Sequence, residues 1–206
     1  MTHHAFSTPI APTTLQGWGV RLDPLQAEHT PLLEQAAADG ELWTLRFAGV
    51  PGPGQAEQYV RVALDGLQQG HMLPFLVRDL TSGQAVGTTR YYHIDPSVAR
   101  LDIGYTWYAK RMQRSHVNTA CKLLLLDHAF NTLGAAAVGW RTDNLNVASQ
   151  QAIARLGAQF EGRMRHHILR RDGTVRDTML YSLLAQEWPS SRARLLERLA
   201  QYGHAA

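Results

Sequence analysis

Four side chains able to grip an anion, Lys110, Arg111, Arg114 and His116, crowd a loop between an apolar strand, LDIGYTWY, and a long apolar helix, NTACKLLLLDHAFNTL. A loop feeding a helix aims backbone N–H groups and the positive end of the helix dipole at one point. The chemistry served by that order is the binding of a phosphorylated group. Strict alternation along LDIGYTWY puts Leu101, Ile103, Tyr105 and Trp107 on one face and Asp102, Gly104, Thr106 and Tyr108 on the other. Asp102 then points away from the apolar set, where it can accept a proton directly or through one water. A solvated or salt-bridged Asp gives the same pattern. His166 and His167 lie in the basic run RMRHHILRR, and alternation lets only one of them face a cleft. The surface reading suits His167, and His166 stays open as a second proton acceptor.

The elements that must carry these residues are legible from periodicity and punctuation. GWGVRLDPL reads as a short strand and AEHTPLLEQAAAD as a helix, and the Gly and Pro of GVPGPG force a loop before the helix QAEQYVRVALDGLQQ. LPFLVRDL, QAVGTTRYYHI and ARLDIGYTWY then pair most simply as an antiparallel meander. After the long helix come the strand AAAVGWRTD, the helix NVASQQAIARL stopped by Gly157, and the strand AQFEGRMRHHILR. An Asp172-Gly173 hairpin joins that strand to TVRDTMLYSLLA, and Pro189 opens a terminal helix. The sum is an α/β fold: a mixed, mostly antiparallel central sheet flanked by helices on both faces. We expect a flexible leader over residues 1–16 and one domain over 17–206.

Composition narrows the function classes. The 206 residues are 45% hydrophobic and carry a net charge of only +3, less than the dense basic stripe of a nucleic-acid binder. The single cysteine, Cys121, excludes an internal disulfide, and its apolar helix marks it as a small buried hydrophobe. The ten histidines show no ligand spacing with carboxylates or cysteine, so no metal is expected. The first residues have neither the basic start nor the apolar run of a signal peptide, and no stretch approaches a membrane span. A cytoplasmic protein without membrane association is the expectation.

At this point the stretch QRSHVNTACKLLLLDHAF, placed directly after its strand, resembles the pyrophosphate-binding segment of the GNAT N-acetyltransferases, in particular the RimJ/RimL-like branch. That branch has a Gln/Arg-x-x-Gly-x-Gly/Ala turn in this register. The resemblance continues through Asn146-Val147-Ala148-Ser149, Leu156-Gly157 and Glu161-Gly162, and is clearest from Gly87 to Trp188. It implies the GNAT fold and transfer of an acetyl group from acetyl-CoA directly to a primary amine, either a small molecule or a protein N-terminus. By position it implies that the backbone of Gln113, Arg114, Ser115, His116, Val117, Asn118 and Thr119 holds the CoA pyrophosphate, with Arg111, Arg114 and Lys122 adding positive charge and Asn118 capping the helix. Asn146 would bond the pantetheine arm, and Ser149 would protonate the departing thiolate. Plain helix capping explains Asn146 and Ser149 equally well. Asp102 is the first choice of general base and His166 the second. A homodimer is compatible with the resemblance.

Two departures stand out. Ile153 occupies the place of the tyrosine that many members use as an acid, and His116 replaces a glycine. A glycine there lets amides approach a phosphate closely and tolerates positive φ, whereas a Cβ restricts both. This motivates an alternative in which CoA binding is impaired and the fold serves another ligand or a regulatory role. A third reading, a basic RNA- or ribosome-associated module, rests on RMRHHILRR, which lacks stacking aromatics.

Overall fold

The computed structural model describes residue 6 and residues 10–47 and 49–203. One eight-stranded sheet runs in the order β1 (Leu15–Gly17), β2 (Val20–Pro24), β3 (Met72–Asp79), β4 (Ala85–Asp95), β5 (Arg100–Tyr108), β6 (Ala137–Asp143), β8 (Val175–Leu184), β7 (Gln159–Leu169). Neighbours are antiparallel except β5 and β6, which run parallel. The parallel pair follows from the crossover between them, the long helix α3 (Val117–Asp127), which must carry the chain back along the sheet. The expected mixed, mostly antiparallel sheet is therefore the one found.

Each face has its own core. Leu101, Ile103, Tyr91, Val138, Trp140 and Leu183 pack with α3, with α4 (Val147–Arg155) and with α5 (Trp188–Ala200). On the opposite face, Leu76, Tyr92 and Trp107 pack with α1 (Thr30–Ala38) and α2 (Ala56–Gln68). Helix α3 is buried all round its middle, which its uniform leucines require. Gly157 stops α4 at φ +90°, a conformation costly for other residues, and a Cβ there would lie 2.3 Å from Ser191 Oγ. Among the described residues no helix is long and apolar enough to cross a membrane.

Three expectations change. Residues 1–5 and 7–9 of the expected leader lie outside the described residues, but the sheet begins at Leu15, which pairs with Leu22 and packs on the main core, so an apolar contact moves the boundary to before residue 15. Asn118 does not cap α3: the helix starts at Val117, and Asn118 lies in its first turn. The strict alternation expected along β5 breaks at a bulge, where Tyr105 adopts φ +51° and the pairing jumps from Arg90↔Gly104 to Thr88↔Trp107. Leu101 and Ile103 face α3, but beyond the bulge Tyr108 faces α3 and Trp107 faces α2.

At the β5–β6 seam Gly139 leaves room for the Asp102 carboxylate. A Cβ at 139 would sit 2.1 Å from Asp102 Oδ1 and 2.8 Å from Arg100 Nη2. Gly139→Ala should therefore cost about 1–3 kcal/mol, as overpacking of an ordered interior does, measurable as a lower urea midpoint. An unchanged midpoint would mean that the seam can shift to admit the methyl group.

Candidate active site

β5 and β6 pair over only three rungs, Arg100↔Ala137, Leu101↔Val138 and Asp102↔Gly139. Beyond them, residues 103–108 and 140–143 diverge, leaving backbone groups along two facing strand edges without partners across the gap. Such edges accept an extended chain carrying amides. Both strands end by leading to helices, β5 to α3 and β6 to α4, at the carboxyl end of this parallel pair, the usual place for a ligand in such sheets.

The loop before α3 supplies donors. Gln113 N–H is taken by Lys110 O and Val117 N–H by Ser115 Oγ, whereas the N–H groups of Arg114, Ser115, Asn118 and Thr119 have no acceptor among the described residues. The left-handed residue of the loop is Arg114, at φ +62°, not residue 116. His116 has helical φ of −66°, is buried, and sits with its ring centroid 6.3 Å from that of Tyr202. The backbone therefore does not call for glycine at 116.

The cations divide differently from the expectation. Arg114 is exposed, with no acid within ion-pair distance among the described residues. Arg111 is held by Asp39 Oδ2 at 2.6 Å and Gln84 Oε1 at 2.9 Å. Lys122 turns away from the loop: its buried ammonium donates to Thr106 Oγ1 at 2.8 Å and to Thr89 Oγ1 at 3.4 Å, between α3 and the sheet. Desolvation lowers its pKa from 10.5 to about 8. Burial pushes the Cys121 thiol up to about 12, so it stays protonated and is no nucleophile.

Asp102 does face away from the α3 core, as expected, but its side chain is only 4% exposed and its Oδ2 is occupied. Arg141 Nε donates to Oδ2 at 3.0 Å, His93 Nδ1 lies 3.1 Å from the same oxygen, and Arg100 Nε stands 3.8 Å from Oδ1. Any group approaching Oδ2 would have to displace Arg141 or His93. His93 is the accessible member, half exposed, with Nε2 left over once Nδ1 engages Asp102. A His–carboxylate pair of this kind fixes the imidazole and leaves the outer nitrogen to take a proton. His93, Arg100, Asp102 and Arg141 line an open cavity of about 370 Å³ next to the last paired rung.

His166 is not brought to this place. It sits exposed on a bulge of β7 at φ +55°, with its backbone N–H on Asp177 Oδ1, and His167 is the one that turns to the sheet, against Thr178 Oγ1 at 2.9 Å. Asn146 caps α4, its Oδ1 accepting from Ser149 N–H at 3.0 Å. The half-buried Ser149 hydroxyl has no partner among the described residues. Arg171 Nη1 donates to Val50 O at 2.7 Å, tying the β7–β8 hairpin to the α1–α2 loop on the cavity's side of the sheet.

His93 and Arg141 were missed because a left-handed residue at His93, φ +47°, shifts the β4–β5 register between Tyr92 and Asp95. Alternation alone would put His93 on the α3 face beside Tyr91. Arg141, two residues beyond Gly139, had no motif of its own.

The family model for the acetyltransferase (GNAT) domain matches residues 20–159. Among solved structures, a GCN5-related N-acetyltransferase from Brucella melitensis is 28% identical, with 97% of this chain and 90% of that chain covered and a TM-score of 0.84. A protein from T. thermophilus assigned to the acetyltransferases is 34% identical over 92% of this chain and 98% of that one, with a TM-score of 0.77. Mycobacterium smegmatis RimJ, solved with CoA-disulfide, is 21% identical over 93% and 95% with a TM-score of 0.75, a likeness of fold. No curated protein sequence matches.

The buried Lys122 makes a prediction independent of activity. Its pKa is lower in the folded chain than in the unfolded one, so the unfolded chain holds the extra proton between about pH 8 and 10.5, and this group's contribution to stability rises across that window. Lys122→Met should be more stable than wild type near neutral pH, and the gap should narrow by about 3 kcal/mol toward pH 10.5. Urea unfolding of both proteins across that range tests this; a gap constant with pH would show that the ammonium is not desolvated.

Proposed function

Because the chain belongs to the GNAT acetyltransferase family, we propose that it moves the acetyl group of acetyl-CoA directly to a primary amine. The observation that carries this reading is the gap between β5 and β6, with the free N–H groups at the start of α3 and the capped start of α4 at its open end. The N–H groups of Arg114, Ser115, Asn118 and Thr119, with the Arg114 guanidinium, would hold the pyrophosphate. The amide N–H₂ of Asn146 and the free edges of β5 and β6 would hold the pantetheine arm. In the reaction, the amine nitrogen gives up a proton and its lone pair forms the C–N bond at the thioester carbonyl. The C–S bond then breaks, and the thiolate takes a proton.

His93 would accept the amine proton through Nε2, with Asp102 holding the ring, and Ser149 at the start of α4 would protonate the thiolate. Asp102 therefore changes role, from base to the group that positions one. The reading in which His116 impairs binding keeps only its steric ground, the side chain beside the loop amides, since φ at 116 is helical. The RNA-associated reading loses charge: Arg163 pairs with Asp177, and Arg170 with Asp143 at 2.7 Å.

By calorimetry, wild type should bind acetyl-CoA and desulfo-CoA, and Arg114→Ala should weaken both about tenfold, as loss of a charged hydrogen bond does. Failure of wild type to bind either would overturn the reading. His116→Gly should bind no more tightly than wild type and melt earlier, because a buried ring is lost. In turnover assays His93→Ala should lower kcat by about a hundredfold with unchanged acetyl-CoA affinity. Wild-type kcat in that variant would remove His93 from the mechanism.

A further inference from the structure

The cavity beside the gap offers more hydrogen-bond donors than its own carboxylates use. Asp102 takes Arg141 Nε and His93 Nδ1 on Oδ2 and has Arg100 Nε 3.8 Å from Oδ1. Asp95, also on the wall, accepts Ser97 N–H and Ser97 O–H on one oxygen and closes its own turn. Arg141 therefore keeps Nη1 and Nη2 without an acceptor among the described residues. Arg100, 3.8 Å from Asp102, makes no hydrogen bond to any of them. Each of these side chains is 37% exposed, and both line the same cavity.

A third cation stands on the same face. Arg176 is half-buried, donates Nε to Thr178 Oγ1 at 2.9 Å, and has no carboxylate within ion-pair distance among the described residues. Burial, and after it the Asp102 charge, raises the pKa of the Tyr92 hydroxyl well above its ordinary range, and the charges of Arg141 and Arg176 pull it back, so both arginines and Asp102 act on one phenol. Arg100 and Arg141 share the one carboxylate of Asp102 and keep terminal guanidinium N–H groups unused, an arrangement that matches a planar, two-oxygen anion gripped with parallel hydrogen bonds. A volume near 370 Å³ suits a small molecule.

We propose that the acceptor amine also carries a carboxylate, as a free amino acid does, and that Arg100 and Arg141 bind that carboxylate while the amine faces His93. This rests on the acetyl-transfer reading and adds the acceptor's class to it. Asp102 then has a structural reason to be buried: it holds Arg141 and His93 on the same wall, one for the carboxylate and one for the amine, and both lie at the inner end of the gap. Arg176 would raise the attraction for anions without touching this one.

The test separates binding from turnover. Saturation-transfer NMR, with the full chain and desulfo-CoA present, would screen three probes. They are the common amino acids with γ-aminobutyrate, the matching amino-acid amides, and O-phosphoethanolamine. Acids should bind at least tenfold more tightly than their amides, and Arg100→Gln and Arg141→Gln should each erase that preference, with circular dichroism and acetyl-CoA affinity as wild type. Arg100→Gln keeps the test sound if Arg141→Gln disturbs folding through Asp102. Equal binding of acids and amides, binding of O-phosphoethanolamine alone, or no binding in the panel would each overturn the proposal. Acetyl-CoA consumption is then followed with every binder. Consumption with uncharged amines only would keep the enzyme reading and reject the carboxylate. Carboxylate binding without consumption would do the reverse.

Discussion

Three rungs of parallel pairing between β5 and β6 decide what the rest of the molecule can do. Each strand is held fully on its other side, β6 by a seven-residue ladder with β8 and β5 by the meander with β4, so neither can swing over to close the gap. The three rungs end at Asp102, and there the carboxylate crosses to Arg141 over the bare backbone of Gly139. A carboxylate this buried is tolerated only when charge and hydrogen bonds surround it. The residues drawn in to satisfy it, Arg141, His93 and Arg100, form the cavity wall. Closing the seam and building the site are thus one electrostatic problem with one solution.

Two left-handed residues do the aiming. At Tyr105 the bulge sends its ring to the α2 face, where it and Tyr59 sandwich the Arg90 guanidinium at 4.5 and 4.4 Å. Arg90 is 1% exposed and has no carboxylate within ion-pair distance among the described residues, so two ring faces supply the attraction that an acid would otherwise give. At His93 the second irregularity turns an imidazole from the α3 face to Asp102. Left-handed backbone at bulky residues carries a cost that persists only where surrounding contacts over-determine it. Here those contacts are the stacked guanidinium and the buried carboxylate.

This is also why the site was less legible than the fold. Element order, the hairpin at Asp172-Gly173 and the stop at Gly157 follow from local chemistry, and that chemistry is written in adjacent residues. The loop before α3 was legible for the same reason. The facing of side chains beyond a bulge is not local: nothing in RYYHID says that one residue is left-handed, and a single extra residue reverses the face of all that follow. Asp102 was found because it precedes both the β5 bulge and the gap. His93, after an irregularity, was missed, and His166, on another, was over-read. Lys122 failed differently: its position near the loop was right, but its neighbours across the sheet, Thr89 and Thr106, decided where its ammonium went.

Lys122 and Arg90 together expose a feature that neither shows alone. Thr89 and Arg90 are consecutive in β4, so one points to α3, where it meets Lys122, and the other to α2. Two buried cations without acid partners among the described residues therefore lie on opposite faces of the same two strands, beside the gap. Such an arrangement costs stability, as the lowered pKa of Lys122 records. A core selected for stability alone would replace both by apolar groups. The charge is retained where β5 loses its parallel partner, and fixed positive charge in a low-dielectric layer favours anions and negative charge arising nearby. The low-dielectric layer that makes these groups costly is also the setting in which a fixed charge acts most strongly on its surroundings.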